Sequence, residues 1–160
     1  MAFKMPKDAK QYFQFINEKA SGDNKFKLAF DYYYLCLMVG LKNQRLGNKD
    51  KVSPDYFIDY FPGTYSNISE IVIGLLISTE LNRRAIDANN RDNLEQLILE
   101  LIDHNSPNRL SAIGIEYLNC YAAGGLEIII DNIPTSKSLP GFILLYHDLM
   151  NSSIEETKEV

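Results

Sequence analysis

Apolar residues recur along this chain at helical spacing, and one segment is apolar on every side. Between Leu28 and Leu41 the only charged residue is Asp31. Successive residues on a helix turn by about 100°, so this run presents apolar side chains in all directions. A helix of that kind lies at the centre of a bundle, in contact with several neighbours. We therefore predict a central hydrophobic helix over residues of about 24–43.

The length of this segment argues against a membrane span. Its fourteen residues cover about 21 Å as a helix, whereas the hydrocarbon layer of a bilayer is about 30 Å thick. Tyr32, Tyr33 and Tyr34 sweep about 200° of the helix, so at least one is expected to point towards a surface or a partner. Asp31 is expected to pair with Lys27 one turn earlier, or else to act as a functional acid.

Other segments also show helical periodicity, each with a start or stop signal. The predicted helices run over about 8–18, 53–61, 67–86, 92–105, 110–130 and 141–150. Ser53 followed by Pro54 is typical of an N-cap and first turn. Gly124 and Gly125 are expected to break or kink their helix, or to allow close helix packing. Gly74 lies inside another helix, which suggests that a neighbouring helix passes close to it.

These patterns predict an all-α fold, a compact orthogonal bundle of six to eight helices around the central one. Residues 126–130 are rich in β-branched side chains, but no second strand candidate lies nearby, so helix is favoured. A chain of 160 residues is close to the commonest domain size. Residues 1–150 are therefore expected to form one domain, and the acidic residues 151–160 a flexible tail.

Composition places the chain among ordinary globular proteins, since 46% of its residues are hydrophobic and 23% are charged. The first ten residues resemble neither a secretory signal nor a transit peptide, so a cytoplasmic location is expected. Cys36 and Cys120 both lie in apolar helical patterns. We expect them to be buried thiols rather than disulfide partners, metal ligands or nucleophiles.

Charge is distributed unevenly along the chain. Residues 1–51 contain ten Lys and Arg against five Asp and Glu, whereas residues 52–160 contain six against sixteen. Such asymmetry is typical of a protein with a basic face for nucleic acid or an acidic partner, although purely solvating charges give the same count. The candidate binding residues are Lys4, Lys7, Lys10, Lys42, Arg45, Lys49, Lys51, Tyr32, Tyr33 and Tyr34. A second candidate basic site consists of Arg83, Arg84 and Arg91.

The type of basic residue limits what this region is expected to bind. Lysine outnumbers arginine nine to one in residues 1–51, so bidentate reading of bases is not indicated. Contacts with nucleic acid are expected to be directed to the backbone and sensitive to salt, with aromatic rings stacking on exposed bases. Because the rest of the chain is acidic, DNA contact is expected only inside a complex.

No sequence motif of a nucleotide-binding, metal-dependent or nucleophilic enzyme occurs in the chain. We therefore predict no catalytic residue, no metal and no cofactor. Two alternatives stay open. One is a small-molecule module with a pocket lined by Tyr32 to Tyr34 and closed near Gly124 and Gly125. The other is an enzyme in which Asp31, Glu70, Glu80 or His104 come together.

Several hydrophobic segments carry a family resemblance. They read FDYYYLCLMVGL, FIDYFPGTY, LLISTEL, YLNCYAAGGLEIII and PGFILLYHDLM. Their order and spacing resemble small all-helical accessory proteins of bacterial anti-phage and DNA-modification operons, including those for phosphorothioate modification. The resemblance implies a non-enzymatic adaptor beside a larger ATPase, helicase or nuclease, with no membrane association. Its basic and aromatic N-terminal region would face DNA or an acidic partner, and a homo-oligomer is compatible with it.

Overall fold

A computed structural model describes residues 2–19 and 22–156 of the chain, and within them the fold is mostly helical. The elements are β1 (Phe3–Pro6), α1 (Ala9–Gln14), α2 (Ala29–Lys42), β2 (Val52–Ile58), α3 (Ser69–Arg83), α4 (Arg91–Leu101), α5 (Ala112–Asn132) and α6 (Leu139–Glu156). A π-helical turn, Phe15–Lys19, extends α1, and 3₁₀ turns lie at Gly22–Asn24, Lys49–Lys51 and Gly63–Tyr65. The helical prediction is confirmed, but the fold is not all-α.

The pair formed by α2 and α5 is the centre of the molecule. The two backbones approach so closely that only glycine fits between them. A Cβ atom on Gly125 would lie 1.7 Å from the carbonyl oxygen of Cys36, and one on Gly40 would lie 1.9 Å from that of Tyr121. The predicted central helix is thus α2, and the contact with α5 explains why its apolar residues surround it.

Helix α5 is continuous, so the predicted break at Gly124 and Gly125 is wrong. These glycines are positions where the backbone of α2 and of the segment after it packs against α5. Among the described residues, α5 is the one helix long and apolar enough for a membrane span. In its most apolar stretch of 18 residues, 67% of the residues are buried inside the fold, as in the core helix of a globular protein.

The predicted helix over 53–61 is also wrong, because β2 occupies most of this segment. It pairs with β1 as an antiparallel sheet, with Phe3 opposite Ile58 and Lys4 opposite Tyr56, and with irregular register between these pairs. Phe3 is fully buried and packs edge-on against Phe30. This aromatic anchor holds β1 on the core and provides β2 with its partner strand.

Several element ends differ from the predictions. Asn90 accepts from the backbone N–H of Asn93 at the start of α4, and Ser111 accepts from that of Gly114 at the start of α5. Both are normal N-caps. Helix α6 continues to Glu156 instead of ending at Met150, so the predicted flexible tail begins as helix. Residues 157–160 lie outside the described part of the chain.

The buried cysteines agree with the prediction. Cys36 and Cys120 are both free thiols in the core. Burial raises the pKa of each thiol, so both stay protonated near neutral pH.

Candidate functional site

Four of the predicted lysines come together at the two-stranded sheet. Lys4 lies on β1, opposite Tyr56 of β2. Lys7 follows β1, and its backbone N–H donates to the carbonyl of Lys51 at 2.8 Å. Lys49 and Lys51 form the 3₁₀ turn that leads into β2. The fold therefore gathers two lysine-bearing segments that are far apart in the sequence.

Two exposed tyrosines accompany these lysines, and the sequence analysis missed both. Tyr56 on β2 is 68% exposed, and Tyr60 just after it is 53% exposed. We call the set the basic–aromatic surface; it consists of Lys4, Lys7, Lys49, Lys51, Tyr56 and Tyr60. The signal for these tyrosines was the run of aromatic and β-branched residues after Pro54, which favours a strand over a helix.

The basic–aromatic surface also contains carboxylates. Asp8, Asp50 and Asp55 are exposed beside the lysines. The ammonium group of Lys49 forms an ion pair with Glu116 of α5, and this hydrogen bond raises the pKa of the lysine. The surface is therefore a mosaic of both signs rather than a continuous positive track.

A pocket of about 360 Å³ opens beside these lysines, between the sheet and the first turns of α5. Its lining residues are Ala2, Lys4, Lys49, Val52, Ser53, Pro54, Ala112, Ile115, Glu116, Asn119 and Cys120. None of the ion pairs in the described part of the chain involves Lys4. The pocket thus combines Lys4, which has no carboxylate partner among the described residues, with an apolar wall.

Asn119 fixes the inner wall of this pocket. It is only 4% exposed. Its Oδ1 accepts from the backbone N–H of Lys4 at 3.1 Å and from the hydroxyl of Tyr33 at 2.7 Å. Its Nδ2 donates to the carbonyl of Ala2 at 3.1 Å. The amide closes the outer edge of β1 as a neighbouring strand would, so the wall is preorganised.

The tyrosines predicted to bind are largely inside the core. Tyr33 is fully buried, and Tyr32 is buried against Phe13. Tyr34 is half-buried and lies against Tyr65. The first two rings have no free face for a nucleic-acid base, and Tyr33 does not line the pocket near Lys4. Gly124 and Gly125 pack against the backbone of Arg45 and Cys36, so they leave no space for a pocket closed at these glycines.

The remaining residues of the predicted basic set lie elsewhere. Lys10 borders a shallow cavity with Glu18 and Lys27. Lys42 donates to the carbonyl of Met150 on α6. Arg45 forms an ion pair with Glu127 at 3.2 Å. Lys10, Lys42 and Arg45 therefore do not belong to the group of lysines at the sheet.

Arg83 and Arg84 of the second candidate basic site take part in a buried ion network. Glu80 is fully buried, and its carboxylate accepts from Arg83 at 2.8 and 2.9 Å and from Arg84 at 2.7 Å. Arg84 also donates twice to Glu100, at 2.9 and 3.1 Å. Arg91, in contrast, is exposed at the start of α4. Arg84 therefore joins α3 to α4, Arg83 binds Glu80 within α3, and both arginines have little capacity left for a ligand.

Helix α5 completes this network. The hydroxyl of Tyr121 donates to Glu80 at 2.6 Å. The guanidinium groups of Arg83 and Arg84 lie over the ring of Tyr117, 5.6 and 5.2 Å from its centre. Burial alone would raise the pKa of Glu80, but hydrogen bonds from Arg83, Tyr121 and Arg84 outweigh it and hold the pKa below its ordinary value. Glu80 is therefore a charged structural group.

The four residues of the enzyme alternative, all in the described part of the chain, do not bond to one another. Asp31 accepts from the hydroxyl of Tyr65 at 2.6 Å and the backbone N–H of Leu28 at 2.8 Å, so the expected pair with Lys27 is wrong. Glu70 pairs with Arg109 at 3.0 Å, and Glu80 belongs to the ion network. His104 lies exposed in the turn after α4.

No cluster of three or more His, Cys, Asp and Glu residues suited to a metal ion occurs in the part of the chain that the structure describes. The fold defines the class of the protein as a mostly helical domain with a small antiparallel sheet. Compared with known proteins, the chain matches no family model, and no curated protein or solved structure is significantly similar to it.

Proposed function

We propose that this protein is a non-enzymatic accessory subunit that docks an acidic segment of a larger protein onto its basic–aromatic surface. The observation that carries the proposal is the pairing of Lys4 with the exposed Tyr56 on one small sheet, with Lys7, Lys49, Lys51 and Tyr60 in the segments directly next to its strands. The hydrophobic segments resemble those of accessory proteins from bacterial anti-phage and DNA-modification operons. We therefore place the proposed subunit in a cytoplasmic bacterial defence or DNA-processing complex whose larger subunit is an ATPase, helicase or nuclease.

The residue types of the surface suit a protein partner. Exposed tyrosines are enriched at protein interfaces, because their large rings bury apolar area while the hydroxyl stays hydrogen-bonded. Lysines around them guide an acidic partner and set its orientation. The pocket beside Lys4 leaves room for an acidic side chain of that partner. Burying that side chain there would place a carboxylate against Lys4, which forms no ion pair within the part of the chain that the structure describes.

An acidic protein segment fits this surface better than DNA does. Duplex DNA carries a negative charge about every 1.7 Å along its axis, so it favours continuous positive tracks. Here Asp8, Asp50 and Asp55 interrupt the lysines. The surface also contains no arginine, the residue that reads phosphates and bases in bidentate fashion. A protein segment of mixed charge can match such a mosaic.

Charge reversal of the surface tests this proposal. We would measure fluorescence polarisation of a labelled peptide of alternating Glu and Tyr, and of a labelled 20-base-pair DNA duplex, at low and physiological salt. Lys4→Glu combined with Lys51→Glu is expected to weaken peptide binding by about tenfold or more, since each reversal removes an attraction and adds a repulsion. Lys137→Glu, on the loop before α6, is the matched control and should leave binding unchanged.

Three results would count against the proposal. Equal loss from Lys137→Glu would show that only net charge matters. Tighter binding of the duplex than of the peptide at physiological salt would favour DNA as the partner. In the native host, co-purification of the same larger subunit with both the wild type and the double variant would exclude this surface as the docking site.

The pocket also favours a second function, binding of a small carboxylate. Its volume of about 360 Å³ is within the range of small-molecule sites, and Lys4 and Lys49 line it. A thermal-shift series with acetate, butyrate and succinate tests this function. Ala112→Phe fills the pocket from its apolar wall without changing a charge. It should abolish any shift caused by the acids; equal shifts in the variant would exclude the pocket.

A further inference from the structure

Charged groups of both signs line the pocket between the sheet and the first turns of α5. They are Lys4, Lys49 and Glu116, and Lys49 forms its ion pair with Glu116. Cys120 also lines the pocket, but burial raises the pKa of its thiol, so the thiol is uncharged near neutral pH. Two ammonium groups and one carboxylate give the lining a formal charge of +1.

The rest of the lining is largely apolar. The volume of about 360 Å³ is larger than a lone carboxylate group needs, so a ligand that fills the pocket also brings apolar atoms. Each methylene group of the ligand that is removed from water strengthens binding by about fourfold. The residues that provide the apolar part are Ala2, Val52, Pro54, Ala112 and Ile115. The pocket therefore suits a carboxylate that is joined to a short hydrocarbon chain.

We propose that this pocket selects an anion with a single carboxylate on a short apolar body, and that Glu116 is the residue that excludes dianions. The inference rests on the proposed binding of a carboxylate in this pocket. A monoanion balances the charge of the lining by pairing with Lys4, while Lys49 stays with Glu116. A second carboxylate on the ligand meets Glu116 as a like charge, which opposes binding.

The ion pair between Lys49 and Glu116 acts on selectivity although it is exposed. Their side chains are 68% and 52% exposed, and ion pairs of this kind contribute little to stability. Lys49 can therefore turn from Glu116 to a second ligand carboxylate at small cost. The repulsion remains after that rearrangement, because the carboxylate of Glu116 still lines the pocket and has lost its partner. A dianion is disfavoured in either arrangement.

An NMR titration of the full chain with butyrate and succinate tests this selectivity at pH 7, where succinate is a dianion, and at constant ionic strength. The side-chain amide of Asn119 and the backbone amides of Ile115 and Cys120 report binding in the pocket. The wild type should bind butyrate about tenfold more tightly than succinate. Glu116→Gln should bind succinate about tenfold more tightly than the wild type does, because Lys49 then pairs with the second carboxylate. Its affinity for butyrate should change much less.

Glu127→Gln is the matched control. Glu127 also lies on α5 and forms a partly exposed ion pair with Arg45 at 3.2 Å, and neither residue lines the pocket. The variant changes the net charge by the same amount as Glu116→Gln and likewise releases a cation. Both dissociation constants should therefore stay as in the wild type. Lys4→Gln tests the site itself and should weaken the binding of both acids by about tenfold.

Two results would overturn the selectivity while leaving carboxylate binding intact. One is a ratio of succinate to butyrate affinity that Glu116→Gln does not change, and the other is an equal change of that ratio in Glu127→Gln. If neither acid shifts the pocket amides of the wild type or of Glu116→Gln, carboxylate binding itself fails, and the selectivity fails with it.

The labelled peptide of Glu and Tyr distinguishes the two sources of such a carboxylate. A glutamate side chain carries one carboxylate on two methylene groups, so it has the same chemistry as a short free acid. Displacement of the peptide from the wild type by butyrate would assign the pocket to a glutamate of the partner protein. Binding of butyrate without displacement would assign the pocket to a free acid.

Discussion

The α2–α5 contact and the outer face of α3 use the same residue in opposite ways. In the first region, Gly40 and Gly125 allow two backbones to touch. In the second, Gly74 faces open space. Inward from Gly74, the same helix is held by the ion network around Glu80. The contrast separates glycine that packing requires from glycine that the fold of one chain does not need.

The largest expected effect is at the α2–α5 contact. Gly125→Ala places a methyl group 1.7 Å from a backbone oxygen of Cys36, so the two helices must move apart. Overpacking of this kind costs about 3 kcal/mol or more where backbone must shift. Urea unfolding monitored by circular dichroism measures the loss. A variant as stable as the wild type would show that this contact is looser than the geometry indicates.

The ion network on the inner face of α3 comes next. Glu80→Gln removes the charge that two arginines share, and the expected loss of unfolding free energy is about 2 kcal/mol. This value is below that for a fully buried pair, because the side chains of Arg83 and Arg84 are a third and a quarter exposed. Glu116→Gln, which removes an exposed ion pair with Lys49, is the control and should leave the urea midpoint unchanged.

The pH dependence of stability tests whether Glu80 is charged in the folded protein. The pKa of Glu80 is lowered in the folded state, so its contribution is complete above the unfolded pKa of about 4.3 and is lost as the pH falls below that value. The stability difference between the wild type and Glu80→Gln should therefore shrink between pH 5 and pH 3. Unfolding free energies from urea titrations at each pH measure it. A constant difference would mean that Glu80 keeps its ordinary pKa.

The smallest effect, with the opposite sign, is at the outer face of α3. Gly74→Ala should stabilise the isolated chain by about 0.5 to 1 kcal/mol, since the new methyl group meets nothing and the unfolded chain loses conformational freedom. Thermal melts at micromolar concentration measure this gain. A destabilised variant would mean that Gly74 does have a close neighbour within the chain.

Helices were predictable where a local pattern determines them. The run that becomes α2, in which Asp31 is the only charge before Lys42, is apolar all round, and only a central position buries such a helix. Glycine was less informative, because Gly74 and Gly125 look alike in the sequence. Their roles depend on which backbone lies opposite, and that is a property of the tertiary fold. The predicted break at Gly125 and the predicted close helix crossing at Gly74 are wrong for this reason.

The local sequence signals for the sheet favour a helix and a strand at the same time. Ser53 and Pro54 suit a helix start and an extended strand equally well, because proline has a φ angle that both tolerate. The choice depends on β1, which is held by the contact of Phe3 with Phe30. No spacing rule in the sequence connects these distant residues. The aromatic and β-branched residues around Tyr56 are the local signal that favours a strand here.

The candidate site was predictable in its charge but not in its aromatic part. Lysines are usually exposed, so Lys4, Lys7, Lys49 and Lys51 could be proposed from composition. The tyrosines of α2 were wrongly assigned to a surface, because the apolar run places Tyr32 and Tyr33 inside the core. The arginines of α3 were misjudged as well, since Glu80 looks like any other helical acid until its burial is known.

The amide of Asn119 has a consequence for the order in which the chain folds. Its hydrogen bonds to Lys4 and Tyr33 join residues that are 115 and 86 positions away in the sequence. On the ribosome, the first strand and the middle of α2 must therefore wait, with their aromatic side chains unprotected, until most of the polypeptide has been synthesised. Such long-range contacts slow folding and leave aggregation-prone intermediates with exposed hydrophobic surface. Nascent chains arrested before residue 119 should consequently recruit chaperones, and those arrested well beyond α5 should release them.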